Sequence, residues 1–175
     1  MTSESKPKLT ALFPDSEAAE RAYEACLKRG YEIGNVNVVV SEGTRSKILK
    51  ESDPTKLELA SKEAEGGELG GPTGGRVGIL LTIFAAVGAA VAIPTVGFIA
   101  GPVAVALAAA GTAGVAGGLL SAIEHWGVPH SRLEEYQAGI RRGEILVMVE
   151  PASDEDANAI REEWTALGGR KIHYR

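Results

Sequence analysis

The sequence predicts an α+β fold in which two βαβ halves flank a Gly/Ala-rich hydrophobic α-helical hairpin. Three observations predict it. Short aliphatic runs near each end of the chain are followed by amphipathic helical patterns. The two ends also match each other: Pro14-Asp15-Ser16-Glu17 lies over Pro151-Ala152-Ser153-Asp154 without a gap, with Ala22 over Ala159. Between Arg76 and Glu124 there is no charged residue at all.

The first half spans 9–40, after a polar stretch over 1–8 that reads as a disordered N-terminus. Leu9 to Phe13 is an apolar run closed by Pro14-Asp15, a strand followed by a turn. Asp15 or Ser16 can N-cap a helix, with Glu17 and Glu20 in its positive first turn. Ala19, Ala22, Tyr23 and Cys26 recur at helical spacing and mark one buried stripe, and Gly30 stops the helix. Val36, Val38 and Val40 belong to a β-branched run, a second strand.

The segment 125–175 repeats this plan after a leading helix. Ser131-Arg132-Leu133-Glu134 is a capping-box pattern, and Leu133, Tyr136 and Ile140 form one face of a helix ending at Gly143. Ile145 to Val149 is a buried-strand run. Ser153 then caps a helix with Asp154, Glu155 and Asp156 in its first turn and Ile160, Trp164 and Leu167 on its stripe. Gly168-Gly169 closes it, and Lys171 to Tyr174 is the last strand. Two such halves in tandem make a ferredoxin-like βαββαβ domain, with four strands and helices on one face. The connector 41–75 is polar, with Asp53-Pro54 opening a short helix to about Glu65, and glycine-rich from Gly66 to Gly75.

The composition excludes several function classes. The net charge is −5, without the basic stripe that nucleic acid requires. One cysteine can build neither an internal disulfide nor a cysteine zinc site. Met1 to Lys8 lacks the apolar stretch of a signal peptide, so a cytoplasmic setting is expected.

The apolar segment 76–124 divides into Val77–Ile93 and Val103–Ile123, each near the roughly 20 residues that cross a bilayer core. The turn between them holds Pro94 and Pro102 with Gly97 and Gly101 inside, so an antiparallel hairpin is expected. Insertion is weak: summed side-chain contributions come to roughly −3 to −5 kcal/mol for the first helix and roughly −2 to −4 for the second. Small residues recur every four positions at Gly70, Gly74 and Gly78, at Gly97 and Gly101, and at Ala110, Gly114 and Gly118. That glycine-zipper spacing lets helix backbones approach closely. Gly74, Gly78, Gly97, Gly101, Gly111, Gly114 and Gly118 are therefore the expected helix-packing and oligomerisation residues. Arg76 and Trp126 are expected at the membrane interface. The same composition suits a homo-oligomer whose hairpins pack in a dry centre.

The order of these parts, with Trp126-Gly127-Val128-Pro129 and Tyr136-x-x-x-Ile140-x-x-Gly143 ahead of the Ile145–Val149 strand, resembles the small bacterial general-stress and low-temperature-induced proteins. The resemblance covers most of the chain from Leu9 to Tyr174, and its motifs are architectural. It implies a bacterial, stress-linked, membrane-associated or self-associating protein. Residues 41–69 are longer and more polar than that pattern.

No catalytic constellation emerges. His125 and His130 flank a Gly-Val-Pro turn, and with Glu124 or Glu134 they offer at most an incomplete ligand set for zinc, so no metal or cofactor is expected. His173 reads as a strand residue, and Cys26 on an apolar stripe reads as a buried, inert thiol. The glycine run ending at Arg76 lacks the Gly-Lys-Ser/Thr of a P-loop. Arg132, Arg141 and Arg142 can contact lipid phosphates only weakly. The expected function is thus a non-enzymatic stress-associated protein, anchored by its hairpin in the cytoplasmic membrane or self-associating through it. A soluble homo-oligomer and a ligand-sensing α/β domain are the alternatives.

Overall fold

The computed structural model describes residues 6–32, 35–50, 80, 90–93, 97–102, 104 and 126–175. In chain order its elements are β1 (Leu9–Phe13), α1 (Ser16–Lys28), β2 (Val36–Val40), α2 (Glu42–Lys50), β3 (Ala90–Ile93), β4 (Gly97–Ala100), α3 (His130–Arg141), β5 (Ile145–Val149), α4 (Asp154–Ala166) and β6 (Arg170–Tyr174). The fold is mixed α+β, built on one antiparallel sheet of order β3-β4-β2-β5-β1-β6.

Local chemistry sets the helix ends. Asp15 caps α1 by accepting from the Ala18 N–H at 2.8 Å, and Ser153 caps α4 by accepting from the Asp156 N–H at 3.1 Å. At its C-terminus α1 closes with Gly30 N–H to the Leu27 carbonyl and Tyr31 N–H to the Cys26 carbonyl. The same paired bonds close α3 at Gly143 and Glu144, and α4 at Gly168 and Gly169. This Schellman closure needs a left-handed residue at its turn, which the glycines supply.

The strand–helix–strand order recurs at the two ends of the chain, with unequal spacing. The two strands start 136 residues apart, at Leu9 and Ile145, and the two helices 138 apart, at Ser16 and Asp154. The ungapped match at Pro14 and Pro151 splits that difference, because the second strand-to-helix turn is two residues longer.

Both faces of the sheet are covered, not one. Every residue of β1, β2 and β5 is buried. Such strands, apolar except for Thr10 and Asn37, are what two-sided burial selects, whereas one-sided sheets alternate. On the first face, Leu9, Ala11, Phe13, Val36, Val38, Val40, Ile145, Val147 and Val149 meet α1 and α4. Trp164 anchors that layer: its indole donates to the Ala22 carbonyl at 3.1 Å and its ring meets Phe13 edge-on, centroids 5.6 Å apart. On the second face, Leu12, Val39, Leu146 and Met148 meet Leu133, Tyr136 and Ile140 of α3. That helix begins at His130, with Pro129 in the N-cap position and no side-chain cap, so the expected Ser131–Glu134 capping box is not formed.

The expected helical hairpin is corrected where it is described. Ala90–Ile93 is a strand, not the end of a helix, and the expected turn from Pro94 to Pro102 contains β4. These two strands extend the sheet beyond β2, pairing Val39 with Ile99 and Val91 with Ile99. Gly97 and Gly101 bound β4 at positive φ. A Cβ on Gly97 would lie 2.6 Å from the Ser41 Cα, and one on Gly101 2.6 Å from the Val36 carbonyl oxygen. Their smallness therefore serves close approach of β4 to β2. Pro102 and Ala104 are helical. The connector is corrected too: Glu42–Lys50 is helical, with Ser41 Oγ accepting from the Thr44 N–H at 3.1 Å. The helix expected over 53–65 lies outside the described residues, as do residues 1–5 of the expected N-terminal tail; Lys8 exchanges main-chain bonds with Arg175.

Candidate functional site

A β-bulge organises a cavity on the second face. Along the β1–β6 pair, Leu12 faces Arg170 and Thr10 faces His173, so two residues of β6, Lys171 and Ile172, oppose Ala11 alone. Lys171 takes φ 52°, the one left-handed non-glycine among the described residues. The bulge changes what β6 presents. Residues 170 and 173 would face opposite sides in a regular strand, but here both share a side with their partners Leu12 and Thr10 on the second face. Ile172 and Tyr174 pack on the first.

The bulge is held from α3. Tyr136 donates its hydroxyl proton to the Lys171 carbonyl at 2.7 Å, and Lys171 Nζ pairs with Glu135 at 3.2 Å. Burial pushes the Tyr136 phenol well above its usual range, so it remains a donor.

Beside the bulge lies a cavity of about 280 Å³ lined by Leu12, Glu135, Ala138, Arg142, Glu144, Arg170 and Lys171. Glu144 sits at its back with only 7 % of its side chain exposed. The Schellman turn of α3 places it there, because the Glu144 N–H returns to the Gly139 carbonyl at 3.0 Å. Gly139 leaves the room: a Cβ there would stand 2.7 Å from both Glu144 Oε2 and Leu12 Cδ1. One Glu144 oxygen accepts from Arg142 at 2.9 Å and the other pairs with Arg170. A buried carboxylate is tolerable only with such partners. Three cations face two carboxylates around this cavity, an excess of positive charge on a chain whose net charge is −5.

A second feature crosses the same face. Asn37, Met148, Thr10 and His173 form one cross-strand row over β2, β5, β1 and β6. Thr10 is fully buried, and its hydroxyl, the Trp126 indole N–H and the buried His173 Nε2 have no hydrogen-bond partner among the described residues. Burial first, then the nearby Arg132, lower the His173 pKa, against a backbone hydrogen bond at Gly127 that raises it.

No protein-family model, curated protein or solved structure matches this chain. The site must therefore be read from its own residues.

Most residues singled out from the sequence fall elsewhere. Gly74, Gly78, Gly111, Gly114, Gly118, Arg76, Pro94, Glu124 and His125 lie outside the described residues. Trp126, expected at a membrane interface, is 9 % exposed within the second-face core, with Lys8 Nζ 5.1 Å from its ring centroid. His130 is exposed at the start of α3, and no cluster of three metal-ligating side chains occurs among the described residues. Cys26 is buried, and burial followed by the charges of Asp156 and Glu163 pushes its thiol up to about 12. Of the three arginines considered for lipid phosphate, Arg132 pairs with Glu135 and Arg142 with Glu144, and only Arg142 lines the cavity.

Glu144, Arg170 and Lys171 were not distinguishable as site residues in the sequence. The available signal was small: a lone carboxylate between a helix-ending glycine and an apolar strand, and two cations at the start of the last strand.

Proposed function

We propose that this chain is a non-enzymatic, stress-associated assembly protein, in which a ferredoxin-like domain carries a glycine-rich apolar insert that self-associates. The strand order β2-β5-β1-β6, with α1 joining β1 to β2 and α4 joining β5 to β6, supports the ferredoxin-like reading. One observation carries the assembly reading. Described residues of the apolar segment enter both core layers, Leu80 and Ala100 on the first face and Ile99 and Ala104 on the second. The insert is thus rooted in the domain instead of hanging from a single tether.

What remains of the charge-free segment, including Gly111, Gly114 and Gly118, is rich in small residues that favour close helix contact. Among the described residues no helix is long and apolar enough to cross a membrane. Self-association of the insert is the reading put to the test, and a membrane anchor is the competing outcome.

Fractionation of the expressed full chain decides between them. The expected result is recovery in the high-speed supernatant without detergent, as a uniform species several times the 18.2 kDa chain mass by analytical ultracentrifugation. Gly114→Leu combined with Gly118→Leu should shrink that species. Recovery only in detergent extracts would transfer the insert to the membrane, and a detergent-free monomer would end the assembly reading.

A further inference from the structure

We propose that the cavity beside the β6 bulge is a binding site for a small organic monoanion, a carboxylate carrying a short alkyl chain. The cavity is built by structural choices that stability alone does not require. Lys171 holds a left-handed backbone conformation, which is unfavourable for a residue that carries a Cβ. A buried hydroxyl from Tyr136 holds that conformation in place. Local strain maintained by its surroundings is characteristic of sites that must aim a side chain.

What the bulge aims is chemically specific. Arg170 and Arg142 come from different elements and converge on Glu144, each through one amino group. Their side chains are 59 % and 66 % exposed, which leaves guanidinium surface open to an incoming anion. Glu144 therefore acts as a fixed brace, presenting two guanidinium groups side by side. Paired guanidinium donors of this kind suit the two oxygens of a carboxylate.

Charge and lining narrow the class further. Arg142, Arg170 and Lys171 against Glu135 and Glu144 leave one unbalanced positive charge, which a monoanion neutralises and a phosphate dianion exceeds. Leu12 and Ala138 line the cavity with aliphatic surface that an alkyl tail covers. A volume of about 280 Å³ admits a chain of a few carbons and not a long acyl group.

The test is a titration of the full-length protein followed by amide NMR, using acetate, butyrate, hexanoate and inorganic phosphate. Saturable shifts confined to residues near Ala138–Glu144 and Arg170–Lys171 are expected with hexanoate, with affinity rising about four-fold per added methylene. Phosphate should bind more weakly than hexanoate. Arg142→Gln should weaken hexanoate about ten-fold while the amide spectrum elsewhere is unchanged. Ala138→Leu should abolish binding by filling the cavity that Ala138 lines. Absence of saturable shifts, equal affinity along the carboxylate series, or tighter binding of phosphate would each overturn the assignment. None of these results depends on the oligomeric state of the apolar insert.

Discussion

The Tyr136 hydroxyl donates to the main-chain carbonyl of Lys171 at 2.7 Å, tying α3 to the residue that carries the left-handed kink of β6. Tyr136 is fully buried, so its phenol has no water to fall back on. Tyr136→Phe should lower stability by about 1–2 kcal/mol, measured by urea unfolding. Amide hydrogen exchange should accelerate along β6 more than along β5, because the bulge loses its external restraint. Uniform acceleration of both strands would assign Tyr136 a packing role only.

Trp164 is the corresponding tie on the opposite face. Its indole N–H reaches the Ala22 carbonyl and its ring abuts Phe13. Trp164→Phe removes the donor and part of the volume and should cost about 1–3 kcal/mol, whereas Trp164→Ala should cost about 3–5 kcal/mol. Thermal unfolding monitored by circular dichroism separates the two.

Gly97 tests the β-hairpin. Any side chain there meets the backbone at Ser41, and backbone cannot swing aside as a side-chain tip can. Gly97→Ala should destabilise by about 2 kcal/mol or more, combining overpacking with positive-φ strain. A neutral outcome in urea unfolding would mean that β4 does not pack against β2 in solution.

His173 predicts a pH dependence with a definite sign. Burial and the cations Arg132 and Arg175 hold its folded pKa below the ordinary value of about 6.5, and Lys8 approaches the same end of the face over Trp126. Between the two values the unfolded chain binds a proton that the folded chain refuses. The stability contributed by neutral His173 is therefore complete above the unfolded pKa and is lost as pH falls from about 6.5 through the depressed folded value. Urea midpoints should drop over that interval, and His173→Gln should flatten the drop. An NMR titration giving His173 a pKa above 6.5 would reverse the prediction.

Cys26 should be silent toward thiol reagents in the folded state. With its pKa pushed up to about 12 and its side chain buried, almost no thiolate is present at neutral pH. Reaction with a disulfide reagent should proceed only at the rate of unfolding, and rapid stoichiometric labelling would contradict the buried placement.

The sequence by itself determined the local elements of the two ends. Asp15 and Ser153 announce helix starts because their side chains cap within three residues, and Gly30, Gly143 and Gly168 announce helix ends because the closing turn needs their backbone freedom. The buried stripes, from Ala19 to Cys26 and from Ile160 to Trp164, followed from helical period alone.

Tertiary structure decided what period cannot express. Val77–Ile93 reads as helix because small and aliphatic residues suit either state, yet Ala90–Ile93 joins β4 in the sheet, where main-chain pairing outweighs propensity. The second helical layer, α3, was visible as a helix, but its face of the sheet was not. The cavity was least legible of all. Glu144, Arg170 and Lys171 meet through a turn, a bulge and a missing Cβ at Gly139, and that convergence exists only once β1 lies between β5 and β6. Spacing along a chain records periodic burial; it carries no record of which charged side chains a strand irregularity will turn toward one another.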